Sequence, residues 1–199
     1  MPTFLLRCLI PVLATAVLGG CAVQRSVDST VQAYSGLATL PAPPSYRLEL
    51  LPSQQAQGAA YAPVVLLAHA ALARAGLQRD DAAPRWIAEI GVRTGTAYAD
   101  GPWYPQGPWG AWGPGWGHRP GLRAGWMLRE MPPLLYRHEV HLVLRDAATQ
   151  QTVYETSASN EDVWTDTPRI FGVLFDAALA GFPTPPAGPR QVRLPMPGK

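Results

Sequence analysis

Within four consecutive positions the chain carries His138, Glu139 and His141, side chains of the kind that bind transition metals. Spacing decides whether they can act together. Three residues apart on a helix, two imidazoles converge; on a strand, an odd separation sends them to opposite faces. The run from Leu135 to Arg145 alternates, with Tyr136, His138, Val140, Leu142 and Leu144 on one side and Arg137, Glu139, His141 and Arg145 on the other. That is strand periodicity. His138 therefore belongs on the apolar face as a hydrogen-bonded core histidine. Glu139 and His141 share the polar face, where two ligands make a weak site, and no metal is expected.

Paired carboxylates do acid–base work when burial splits their pKa values. Asp80-Asp81 and Glu161-Asp162 fall in polar turn segments, where solvated charge is expected. Ser157 and Ser159 lie on a strand with nothing to activate them. The chain contains no G-x-S-x-G elbow, no phosphate-cradling loop and no dinucleotide fingerprint. Its two cysteines are Cys8 and Cys21. No enzymatic activity and no cofactor are expected. With 16 basic against 14 acidic side chains and a formal charge of +2, there is no electrostatic case for nucleic acid.

The densest feature is GPWYPQGPWGAWGPGWGHRPG, residues 101–121, with four of the chain's seven Trp. Trp103, Tyr104, Trp109, Trp112 and Trp116 form a candidate contact surface, because rigid aromatic side chains carry binding hot spots. Three readings stand. The rings recognise an envelope protein or a cell-wall glycan; they settle at the headgroup level of a membrane; or the loop buries them against its own sheet. Gly and Pro fill so much of the stretch that regular structure is not expected, and a loop this long is usually functional or disordered.

The N-terminus supplies an address. Arg7 precedes an apolar run, Cys8 to Leu18, that is too short to cross a bilayer and has the proportions of a secretory h-region. Leu18-Gly19-Gly20-Cys21 then resembles the bacterial lipobox, in which a signal peptidase cuts before a cysteine that receives lipid. The resemblance implies a signal peptide over 1–20, lipidation at Cys21 (with palmitate among its acyl chains) and a membrane partner through that anchor. Two or three acyl chains hold a protein effectively permanently. Residue +2 influences sorting in such lipoproteins, and Ala22 favours the outer membrane over inner-membrane retention. Cys8 leaves with the signal, so the mature chain has no free thiol and no disulfide.

Residues 21–43, small and polar with a Pro-rich end, are expected to be a lipidated N-terminus and tether. Behind them Tyr46 to Leu51 alternates as a first strand. Ala60 to Leu77 is an Ala- and Leu-rich helix with Pro63 near its start and Gly76 at its end. Arg85 to Thr94 is a second strand, with Trp86, Ala88, Ile90 and Val92 on one face. The hairpin from Leu135 turns at DAATQQ and returns over Thr152 to Ser159. A second helix begins at Thr167-Pro168 and runs to Gly181, and Gln191 to Leu194 is a short edge strand. These elements predict an α+β domain over 44–195: a single antiparallel sheet of four to five strands with two helices packed on one face, and a tail at 196–199.

Taken together, LGGC, YRLELLPSQQA, LARAGLQ, the Trp/Gly/Pro loop, YRHEVHLVLRDAATQQTVYETSA, FDAALAGFP and QVRLP resemble the DUF4136 family of bacterial lipoproteins over roughly residues 44–195. That family has no assigned activity, so the resemblance implies a lipid-anchored envelope protein and carries over no catalytic residue.

Overall fold

The computed structural model describes residues 25–98 and 134–197. Strands are β1 Ser26–Ser35, β2 Ser45–Glu49, β3 Gln78–Arg79, β4 Trp86–Tyr98, β5 Leu134–Asp146, β6 Thr152–Asp162 and β7 Arg190–Pro195. The helices are α1 Pro52–Gln55, a single turn, α2 Ala62–Arg74 and α3 Thr167–Ala178, with a 3-10 turn at Gly58–Ala60. The seven strands form one mixed sheet in the order β3-β2-β4-β5-β6-β1-β7.

This corrects the expected four- or five-stranded antiparallel sheet in two places. The segment read as a tether contains β1, which pairs antiparallel with β6 on one side and β7 on the other. Its alternation is real but faint. Val27, Ser29, Val31 and Ala33 point inward and Ser26, Asp28, Thr30 and Gln32 outward, so a serine and a small alanine dilute the apolar signal of the inward row. The second correction is direction. β2 runs parallel to both β3 and β4, because a strand joined to the next through a helix returns to the same end and pairs parallel. β4, β5, β6, β1 and β7 are antiparallel neighbours.

The β5–β6 hairpin follows the alternation closely: His138, Val140, Leu142 and Leu144 are buried, while Arg137 and His141 are exposed. α2 and α3 pack against each other and against the face bearing Trp86, Ala88, Ile90, Tyr154 and Ala158. An Arg74–Asp176 ion pair at 2.6 Å bridges the two helices at the surface. The hydroxyls of Tyr154 and Thr156 both donate to the Ala178 carbonyl, at 3.2 and 2.8 Å, satisfying an orphan carbonyl at the helix end. β2 stops opposite Glu89, and among the described residues the next stretch of that β4 edge has no strand neighbour. The buried Gln54 side chain fills that role, donating from Nε2 to the Ile90 carbonyl at 2.7 Å.

On the uncovered face a glycine has a definite job. A Cβ at Gly91 would collide with the His141 ring lying over it from β5, the close approach for which a strand uses glycine.

Candidate functional site at one end of the sheet

The pairing register collects several termini at one end of the sheet. Tyr98 pairs with Leu134, Tyr136 with Asp162, and Ser26 with Pro195. The last residues of β4, β6 and β7 therefore lie beside the first residues of β5 and β1. α3 starts there too, at Thr167, with four residues between it and the end of β6 at Asp162.

At this end Arg25 makes three contacts. Its carbonyl accepts from the Met196 amide at 2.7 Å, which extends the β1–β7 pairing by one residue. Its guanidinium pairs with Asp166 at 3.2 Å and lies 4.6 Å from the centre of the Trp164 ring, a cation–π geometry. Trp164 remains 53% exposed, and neighbouring Val163 49%. Leu134 is exposed at the same end. On the uncovered face next to it, Asp28, Thr30, Arg137, Ser159 and Glu161 line a depression of about 400 Å³.

Behind this edge the covered face turns polar. His138, 2% exposed, faces Asn160 in the β5–β6 register, and both are buried, as is Ser29 on β1. The Thr167 hydroxyl lies 3.1 Å from His138 Nε2 and 3.2 Å from the Thr165 carbonyl. Among the described residues His138 Nδ1, Asn160 Oδ1 and Ser29 Oγ have no hydrogen-bond partner, although Asn160 Nδ2 donates to the Asp28 carbonyl at 2.8 Å. Phe171 meets the imidazole edge-on at 5.7 Å. Burial holds the His138 pKa below the ordinary histidine value, against the opposing charge of Asp162.

A second polar pair sits away from this end, where β2 begins. The Tyr46 hydroxyl and His69 Nδ1 are 2.7 Å apart. Burial raises the phenol and lowers the imidazole, and Arg79 nearby further lowers His69. Both shifts favour the neutral forms of the pair.

The two histidines give stability a pH dependence. Each has a folded pKa below its unfolded value, so the unfolded chain binds more protons in that range and stability rises with pH. Their contribution is complete above about pH 6.5 and is lost as pH falls below it. Thermal melts between about pH 7.5 and 5 should show Tm falling on the acid side, with a limiting slope of about 1.4 kcal/mol per pH unit for each proton taken up. His138→Gln should flatten that slope, and a Tm constant across the range would contradict the assignment.

Of the two carboxylate pairs, Asp80-Asp81 lies in a turn, whereas Glu161-Asp162, expected in a turn, closes strand β6 opposite Arg137 and Tyr136. Asp80 Oδ1 accepts from the amides of Ala82 and Ala83, both at 3.0 Å, and Asp81 pairs with Arg79 at 2.7 Å. Glu161 lies 3.5 Å from Arg137, and Asp162 accepts from the Val163 amide at 2.7 Å. Ser157 and Ser159 lie on β6 facing away from the helices. His138 and His141 are on opposite faces. Among the described residues no group of three or more His, Cys, Asp or Glu could hold a metal ion. Cys21, Trp103, Tyr104, Trp109, Trp112 and Trp116 lie outside the described residues.

Sequence reasoning missed the Tyr46–His69 pair, the Arg25–Trp164 stack and the polar partners of His138. Their members are far apart along the chain and form no motif. The one available signal was an isolated Trp at 164 in a polar turn.

No known sequence family matches the chain, and no curated protein matches it. Among solved structures, two crystal forms of the PelC dodecamer from Paraburkholderia phytofirmans, one of them a point variant, are 12% identical. Their TM-scores are 0.45 and 0.44; the alignments cover 79% and 76% of this chain and 99% and 95% of theirs. A PDZ domain protein from Parabacteroides distasonis is 10% identical over 85% of this chain and 39% of its own, with a TM-score of 0.43. Likeness at this level carries no conclusion about activity or assembly.

Proposed function

We propose that the chain is an outer-membrane lipoprotein of the DUF4136 kind, held through lipid on Cys21 with its domain in the periplasm. It serves as a structural or partner-binding module of the envelope, without catalytic chemistry of its own. The observation that carries the reading is Leu18-Gly19-Gly20-Cys21 at the end of an eleven-residue apolar run. In support, β1 opens at Ser26, so a folded domain stands directly behind the cysteine.

Cys21→Ala should move the protein from the membrane fraction to the soluble periplasmic fraction, read by fractionation and immunoblot. Continued membrane retention would sink the anchor.

In this reading the contact surface is the stretch holding Trp103, Tyr104, Trp109, Trp112 and Trp116, and its partner is an envelope protein. Removing residues 101–121 should leave the melting temperature within a few degrees while abolishing co-purification of that partner from detergent extracts. Unfolding of the deleted chain would show that the stretch covers its own core instead. A cell-wall glycan on the same rings is the second reading, favoured by the density of stacking surfaces. It requires Trp fluorescence to change on adding peptidoglycan fragments.

A further inference from the structure

We propose that the end of the sheet carrying Arg25, Val163 and Trp164 rests on the membrane that holds the anchor, with the Trp164 indole in the headgroup layer. The inference rests on lipidation of Cys21 and adds an orientation to it.

The first argument is reach. Cys21 precedes Arg25 by four residues, and four extended residues span at most about 14 Å. Arg25 is already fixed to the fold through Met196, Asp166 and Trp164. A lipid on Cys21 therefore holds this end of the domain within about 14 Å of the acyl chains, roughly two headgroup-layer thicknesses at full extension. A tether reaching to residue 43 would have left the domain free to tumble; a sheet that begins at Ser26 does not.

The second argument is surface chemistry. Val163 and Trp164 are half-exposed at this end, and Leu134 is 41% exposed. An indole with a guanidinium stacked on it suits the interface, where an amphipathic ring is most stable and Arg reaches lipid phosphate. Charge raises no barrier. Arg25 is paired with Asp166 and Arg137 with Glu161, so among the described residues the edge shows anionic lipid no uncompensated run of carboxylates. The opposite end, with the Asp146–Gln151 turn, stands about 30 Å or more away along the strands.

The added contact should be visible as depth. The acylated mature chain carries no free thiol, so Val163→Cys and Ala148→Cys, both at exposed positions, each introduce a unique labelling site. Each variant, carrying an environment-sensitive fluorophore, is reconstituted in vesicles of phosphatidylethanolamine and phosphatidylglycerol containing a nitroxide-headgroup lipid. The label at position 163 should be quenched several-fold more than the label at 148. Equal quenching at the two positions on vesicle-bound, acylated protein overturns the orientation and leaves the anchor standing. An intact mass lacking acyl groups overturns the anchor and the orientation with it.

Discussion

Val27→Asp should lower the stability of the domain by about 3–4 kcal/mol, enough to unfold a marginal protein. Val27 is 2% exposed and sits opposite Leu194 of β7. A carboxylate there has no cation in register; it must either protonate or drag water into the sheet. The same substitution in a solvated tether would cost nothing, so the experiment decides whether residues 26–35 belong to the fold. Gln32→Asp is the control. It lies on the same strand facing solvent and should change stability by under about 0.5 kcal/mol. Urea unfolding followed by far-UV circular dichroism reads both, and equal midpoints would mean that β1 is not part of the folded unit.

The two halves of the molecule differed in how far their residues betray them. The β5–β6 hairpin was legible because every inward position of β5 from His138 to Leu144 is apolar or a single histidine, while its outward neighbours are mostly charged. Period two survives that contrast. β1 has the same period with Ser29 in the middle of its inward row, and a buried serine erases the hydrophobic signal without breaking the strand. The parallel pairing of β2 was implicit in the strand-helix-strand order, which demands a crossover. The two-residue β3 is too short to carry any pattern.

The candidate site was less legible still. His138 was placed on the buried face by alternation alone. Its partners Thr167 and Phe171 come from the following helix, and Asn160 from a neighbouring strand. Arg25 and Trp164 meet only because β1 begins where β6 ends. Such contacts are products of register, and register is a property of the whole sheet. The same register turns a four-residue spacing into an orientation on a membrane.

Trp86→Ala should cost about 3–5 kcal/mol, the range for emptying a fully buried aromatic position. Trp86 is 1% exposed, opens β4, and stands between Tyr46 of parallel β2 and Asp146 of antiparallel β5. It fills the seam where the sheet changes direction, and Tyr46 across that seam holds His69. The loss should therefore be felt beyond stability. Burial is the first cause of the low His69 pKa, so water entering the seam should move that pKa back up toward the ordinary histidine value, visible in an NMR titration of the His69 ring. Trp86→Phe keeps most of the volume and should retain more than half of the lost stability. A stability drop with an unmoved His69 titration would mean that the seam and the Tyr46–His69 pair are independent. Trp164 makes the opposite prediction. Half-exposed and held by one guanidinium, it should yield to Ala at a cost of about 1 kcal/mol or less. A Trp164→Ala chain that keeps its fold and anchor but loses contact with the bilayer would separate the indole that holds the sheet together from the one that meets the membrane.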